Sequence, residues 1–581
     1  MKRFLHPFRL LALLLILFSD ISGLKAQSFD LGHLDKLFGK GNPIKVNGGI
    51  SASGIYYTGN DGSGRAPFTW FLNGNLNVNI LGKVSMPFSF NLTNVGSAHT
   101  YPSLPNRLSL TPTYKWITGH IGDVSMSFSP YTLSGHLFTG VGVDLAPEGH
   151  FKVSAMYGRL QRAVQLDSLT QPNPPAYERW GYGSRLTWQD KSLKFGLIVF
   201  GAKDNTNSLA VKPDSLGILP QQNMVISWIA SVKPAKNMEL SGEYATSALT
   251  RDLRDTTMHK DDAGNLIQYL MTSRNSTSYY HAEKVQLNYT FMKSVIGVGY
   301  ERVDPGYQTL GAYYFNNDLE NITFNLARPF FRGKVTLAAN VGIQRDNLNN
   351  SEDGTNHRLV TSVNLSVNPS HRLSTSFSYS NFQTYMYIKP QFAYINQLTQ
   401  YQNLDTLNYS QVSQNANLNV NYLLGNNKKV NQNINLNLSF QDAYNEQGGT
   451  VSEGNSSLFY NAALAYSFIF VPRSISITAA FNGTYNAIDT NGYTTLGPTL
   501  AFNSRLLHKK LVAGFSSSYN VSNGQGAPES SVLNFRWNFS YALKKKQNLG
   551  LNIIQQYTYT TATGQKNTNS LVATIGYNYN F

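Results

Sequence analysis

The feature that most restricts this chain is a two-residue alternation of apolar and polar side chains, repeated in block after block from about residue 44 onward. In one block Leu72, Gly74, Leu76, Val78 and Ile80 fall on one side, and Asn73, Asn75, Asn77 and Asn79 on the other. Ala416, Leu418, Val420 and Tyr422 repeat the ladder against Asn415, Asn417, Asn419 and Asn421. Leu533, Phe535, Trp537, Phe539, Tyr541 and Leu543 do so against Asn534, Arg536, Asn538 and Ser540. A helix would scatter these apolar residues around its circumference, whereas a strand gathers them onto one face. Each block is about ten residues long and ends in turn-forming residues, which predicts antiparallel strands with one apolar face each.

The turns decide what kind of sheet this is. One kind is tight and often basic: Leu81-Gly82-Lys83, Lys233 to Asn237, Arg332-Gly333-Lys334, Asn368 to His371, Asn426 to Lys429, His508 to Lys510 and Lys544 to Asn548. The other kind is long and variable: 60–67, 97–106, 165–178, 206–222, 250–277, 305–318, 386–408 and 446–454. Short turns at one end and long loops at the other are the mark of a membrane-spanning barrel. The predicted fold is therefore all-β: a single closed antiparallel transmembrane β-barrel of about 26 strands, with short periplasmic turns and long extracellular loops. It occupies residues 44–581, preceded by a signal peptide at 1–26 and a short periplasmic or lumenal segment at 27–43.

The composition agrees. A hydrophobic content of 41 % and a mean hydropathy of −0.27 are low for a helical membrane protein, but a barrel strand needs apolar residues on its lipid face only. Lys2 and Arg3, the apolar run Leu10 to Phe18, and Leu24-Lys25-Ala26 read as a cleaved secretory signal that leaves Gln27 first. No later run of about 20 apolar residues is long enough for a membrane helix. The absence of cysteine excludes disulfides, thiolate metal sites, thiol catalysis and a lipid-modified N-terminus. The net charge of +15 resides partly in Lys2, Arg3, Arg9 and Lys25 and otherwise largely in short turns, so a nucleic-acid partner is not expected. Trp116, Trp188, Trp228, Tyr289, Tyr422 and Tyr541 suit interfacial girdles. The closing alternation Leu571, Ala573, Ile575, Tyr577, Tyr579 and Phe581 resembles the C-terminal signal handled by the barrel-assembly machinery, with Tyr577, Tyr579 and Phe581 as its core.

Strand parity turns Lys45, Lys115, Asp144, Lys152, Arg185, Glu239, Glu243, Lys284, Glu301 and Arg536 toward the lumen, because charges facing lipid are costly. They read either as a mixed-charge conduit or as a filled interior whose charges pair across the barrel. Two loops carry more rings than solvated loops need. One runs from Tyr307 to Asn317 and includes Tyr313, Tyr314 and Phe315. The other runs from Tyr385 to Tyr401 and includes Tyr387, Phe392 and Tyr394. Each reads as an inward constriction, a binding surface, or plain loop packing. Ser129 to His136 is a further candidate for an inward fold. The charged loop 250–277 matches no calcium-loop spacing and reads as a solvated segment. Neither a G-x-S-x-G motif nor clustered histidines point to catalysis, and no metal or cofactor is expected.

The stretches Leu110 to Asp123 (LTPTYKWITGHIGD) and Asp304 to Asp318 (DPGYQTLGAYYFNND), with the architecture as a whole, resemble large outer-membrane barrels of the Bacteroidota from an uncharacterised family. That resemblance carries no catalytic or ligand residues across. The chain departs from TonB-dependent receptors, which place a large plug before the first strand, and from the lipopolysaccharide-transport barrel, which has a folded periplasmic domain and cysteines. The expected function is a passive or partner-gated conduit for polar solutes or macromolecules. The alternative is a barrel subunit scaffolding a surface or secretion complex, and a weaker one is a rim-located hydrolase. Expected partners are outer-membrane lipid, lipopolysaccharide and the assembly machinery.

Overall fold

The computed structural model describes residues 44–62, 65–94, 106–166, 175–257, 266–313, 316–350, 357–381, 412–426, 428–443, 446–447, 450–451, 457–488, 491–524, 527–560 and 566–581. The expected signal peptide and the 27–43 segment lie outside these residues.

The alternating blocks form one sheet of 27 ladder segments in which every strand pairs antiparallel with its neighbours in sequence. Two of the segments, Arg107–Leu110 and Thr113–Tyr114, pair with the same two strands, Val84–Thr93 and Ile117–Ser127. They are halves of one strand interrupted at Pro112, which has no N–H to give the ladder. The count is therefore 26 strands, as the turn pattern predicts. The first strand, Ile44–Gly59, pairs with the last, Thr568–Asn580, so the sheet closes on itself. Gly48 and Phe581 exchange backbone hydrogen bonds of 3.1 and 3.0 Å at that seam.

Register follows the sequence ladders. Asn419 lies opposite Asn437 and Asn421 opposite Asn435, while Val420 faces Leu436. Polar residues thus meet polar ones on one face and apolar meet apolar on the other. The short connections hold the residues with left-handed backbone, among them Leu81, Met292, Arg332, Ser474 and His508. Tight hairpins demand positive φ at their tips because only that twist matches the flanking strands.

The outer face is apolar. Leu464, Ile575, Val285, Phe324 and Leu500 stand exposed in mid-strand, and Trp116, Trp228, Tyr289 and Tyr422 are exposed on that same surface. A continuous apolar surface on this scale calls for hydrocarbon around it rather than water. On one side the surface ends in ions: Glu283, Arg302, Glu320 and Arg345 lie opposite one another across four strands near their long-loop ends. Arg302 pairs with Glu320 at 3.7 Å, and Arg345 also bonds that carboxylate. Strands of 14 to 16 residues, such as Ser457–Phe470 and Asn491–Leu506, exceed the roughly 9–11 that cross hydrocarbon. The ionic row itself lies on strands of 10 to 15 residues.

Leu464→Arg should destabilise the barrel in lipid vesicles by about 2–4 kcal/mol in urea titrations. Asn435→Arg, on the opposite face at a similar level, should cost far less. Equal costs would mean that the apolar face is not the one in lipid.

Candidate functional site: the inner wall and its folded-in loops

The inner face is not uniform, and the strand Leu193–Asp204 shows why. Its outward residues Phe195, Leu197 and Val199 are apolar, as elsewhere, but so are Ile198, Phe200 and Ala202 on the other side. These three are fully buried. They are covered by two connections from the long-loop end, Phe128–Leu133 and Asp304–Tyr313, which lie on the same face and pack with Tyr131, Leu133, Phe138, Leu160, Tyr307 and Leu310 into one cluster. A strand with apolar residues on both faces needs cover on both.

The two loops hold each other and the wall through hydrogen bonds. Tyr307 donates its hydroxyl to the Tyr131 carbonyl at 2.8 Å, and Thr309 donates to the Thr132 carbonyl at 2.7 Å. The Ser134 amide reaches the Gly311 carbonyl at 2.9 Å. A side chain on Gly311 would put its Cβ 2.6 Å from the Thr132 oxygen and 2.7 Å from the Phe200 ring, so only glycine allows this approach. Asn223, fully buried on the adjacent strand, accepts from the Leu310 amide at 3.1 Å and donates to Ser247 at 2.8 Å. Ser247 passes the chain on to the Gln308 carbonyl at 2.7 Å. At the margin His136 stacks on Tyr313, whose hydroxyl accepts from the Leu137 amide at 2.9 Å. Buried polar groups satisfied in this way fix one arrangement of the plug, since each lost partner would leave an unpaired group.

Several of the sequence-predicted charges anchor this plug. Arg185 donates to the Phe128 carbonyl at 3.2 Å, and Glu301 accepts from the Tyr131 hydroxyl at 2.6 Å. Burial, with Glu301 beside it, pushes the Tyr131 phenol well above its ordinary pKa, and burial does the same to Tyr307. Both hydroxyls therefore stay protonated as donors. Lys284 stands 3.6 Å from Glu301. Glu243 accepts from Ser227 at 2.7 Å and Glu239 from Ser231 at 2.9 Å. Asp144 is shared by His120 and Ser154 at 2.7 and 2.5 Å. The serine hydroxyl thus donates to the carboxylate rather than to the imidazole. Lys152 lies opposite Thr187, and Lys45 opposite Asn79. Arg536 shares the face of Asn534 and Asn538. Lys115 occupies a left-handed turn position, with its ammonium 5.4 Å over the Tyr114 ring.

Tyr314, Phe315, Tyr385, Tyr387, Phe392 and Tyr394 lie outside the described residues. Tyr577 and Tyr579 belong to the outer face, and Phe581 closes the seam. Among the described residues no three His, Cys, Asp or Glu side chains converge as metal ligands.

The remaining wall, from Val412 round to Thr93 across the seam, differs in chemistry. Its inner face is mostly Asn, Ser, Thr and Gly, half-exposed or buried, with Lys45, Arg505 and Arg536 as charged exceptions. A cavity of about 440 Å³ opens on it beside the seam. Nearer the long-loop end Ile55, Phe71, Ile554 and Val572 form a small buried apolar group.

Two of the outer loops are tied to each other. Arg254 bridges Asp252 and Asp214 at 3.0 and 2.7 Å, joining the 251–276 connection to the 205–221 one. Those hydrogen bonds hold the Asp252 carboxyl below its ordinary pKa. Ile267 and Met271 lie against Met224, Ile226 and Ala248 on the outside of the wall.

Sequence reasoning missed Asn223, Ser247 and Gly311. The available signal was the run Phe195 to Ala202, apolar on both faces, which demands an inner cover.

No protein family model matches the chain, and no curated protein does. Among solved structures it is similar to the FrpB iron transporter from Neisseria meningitidis at 12 % identity and a TM-score of 0.33, covering 92 % of this chain and 82 % of that one. It is similar to the siderophore receptor PirA from Acinetobacter baumannii at 10 % and 0.33, covering 92 % and 80 %. For OccAB2 from the same organism the values are 9 % and 0.27, covering 92 % and 98 %.

Replacing Tyr307 with Ala should cost about 3–5 kcal/mol, read as a lowered unfolding midpoint and faster amide exchange in 304–313. Tyr307→Phe should lose only about 0.5–1.5 kcal/mol. The Arg254 tie responds to pH. Because the Asp252 value is depressed, its contribution is complete above the ordinary carboxylate value of about 4 and disappears as the pH falls through the lowered one. Amide exchange in the 251–257 segment should therefore stay slow at pH 5 and rise only below about pH 4.

Proposed function

We propose that this protein is an outer-membrane conduit for polar solutes, narrowed on one side by its folded-in loops and passable along the asparagine-rich wall. The observation that carries the reading is the division of the inner face. The plug covers strands between Ile117 and Val303, while inner residues such as Ser51, Asn503, Asn538 and Asn578 stay half-exposed or exposed. The apolar outer face supports placement in a membrane, and the barrel form fits the outer membrane of a Gram-negative cell. The exposed rings of Tyr577 and Tyr579 and the seam residue Phe581 support recognition by the barrel-assembly machinery. Lipopolysaccharide would then surround the ionic row of Glu283, Arg302, Glu320 and Arg345.

Single-channel conductance of the refolded full chain tests this. Wild type should carry steady ionic current, and Tyr131→Ala with Tyr307→Ala should raise it by loosening the plug. Silence from both would sink the conduit and favour a second reading, a barrel subunit of a surface assembly. The turn Leu266–Tyr269 supports that second reading. It lies against the outer wall with Tyr269 80 % and Leu270 50 % exposed, which is the kind of apolar foothold a partner uses.

A further inference from the structure

We infer that the asparagine-rich wall carries a binding groove for a neutral, hydroxyl-rich solute, a saccharide. The inference rests on the conduit reading for how the solute arrives, but the groove itself is argued from its lining. The cavity of about 440 Å³ spans the barrel seam from the strand Asn491–Leu506 to Ile44–Gly59. That volume lies within the roughly 300–1,000 Å³ of small-ligand sites.

Four carboxamides line it, Asn503, Asn538, Asn552 and Asn578, together with the hydroxyls of Ser53 and Thr574. All six stand on one face by register: Asn538 pairs with Asn552, Asn552 with Thr574, and Asn503 with Gly514, itself opposite Asn538. No Lys, Arg, Asp or Glu lines the cavity. The inner-face cations Arg505 and Arg536 stand two residues along from Asn503 and Asn538, outside the lining, so an ionic ligand would have no counter-charge within the cavity itself. A carboxamide offers two donors and an acceptor, and a hydroxyl offers both, which matches the adjacent hydroxyls of a sugar.

The glycines are the second observation. Gly550 and Gly576 lie directly opposite each other in the groove floor. A Cβ on Gly550 would meet nothing nearer than 3.8 Å, and one on Gly576 nothing nearer than 3.9 Å. Neither has positive φ. Neither packing nor backbone geometry requires glycine at these two places, and glycine weakens a strand interior. What they leave is room. One inward step further along the same strands the wall turns apolar at Ile55, Ile554 and Val572, which ends the groove on the long-loop side. The groove is thus bounded by hydrogen-bonding groups and closed at one end by this buried apolar group.

The test uses the refolded full chain in planar bilayers, with a neutral glucose hexasaccharide as probe and a sugar-acid oligomer of equal length as control. The neutral probe should interrupt the open current in a concentration-dependent way, and the acidic one should not. Gly550→Leu with Gly576→Leu should weaken the block by about tenfold or more, since each side chain displaces hydrogen-bonded ligand. Heat-modifiable gel mobility verifies that the variant has folded. If it has not, Asn552→Leu serves in its place. Steady current that neither oligomer interrupts would overturn the groove and leave the conduit standing. Equal block by both oligomers would overturn the neutral specificity. If no current flows the conduit fails, and calorimetry on detergent-solubilised protein then decides. Heat with the neutral probe that is lost in the glycine variant supports the groove, and no heat overturns it.

Discussion

Everything in this molecule depends on the hydrogen bonds between Ile44–Gly59 and Thr568–Asn580. A sheet surrounded by hydrocarbon cannot leave an edge, because each unpaired amide or carbonyl there would cost several kcal/mol. Once the ladder closes, the backbone is satisfied without help from side chains. The outer residues need only be apolar, and the inner ones are released to carry whatever function requires. That freedom explains a chain with a mean hydropathy of −0.27 whose outer surface is nonetheless studded with exposed Leu, Ile, Phe and Tyr.

The inner face uses this freedom in two opposite ways. Between Ile117 and Val303 it behaves like the inside of a soluble protein, with Phe138, Leu160 and Phe200 fully buried and Asn223 bonded within the core. The dispersion and burial gained there hold two long connections against the entropy they would otherwise recover. Beyond Val412 the inner face stays polar and half-exposed, with hydroxyls and amides in place of rings. The boundary between the two is a change in what the side chains touch and not in the ladder, which runs through both without interruption.

The barrel was legible in the sequence because it rests on a period and on turn chemistry, both local. The strand count, the closed topology and the register of the asparagine ladders follow from residues such as Asn73 to Asn79 and Leu81-Gly82-Lys83. Pro112 showed its effect only in the structure, where one strand is split in two. The aromatic excess at Tyr307 pointed to three options for its loop; Tyr307 is buried against Phe128–Leu133 and the wall. Its partner is another matter. Nothing near Ser129 announces that it meets residues far along the chain, because that contact is made across the interior and leaves no periodic trace. The seam-side cavity was equally silent, since its lining is spread over strands from Ser51 to Asn578. Parity also misleads at strand ends. Lys115 falls on the inward count, yet it occupies a turn tip, where the count no longer applies.

The bond from Tyr307 to Tyr131 joins residues 176 apart in sequence. No part of the chain shorter than that can make it, so the two loops must wait until several intervening hairpins are in register. Contacts of such range form late, after the entropy of bringing distant segments together has been met by the ladder itself. A clasp that closes late stabilises the finished state much more than the route to it. Its strength therefore governs how slowly the barrel comes apart and has little influence on how fast it assembles. The plug is in this sense a kinetic lock, separating the time the protein takes to insert from the time it endures.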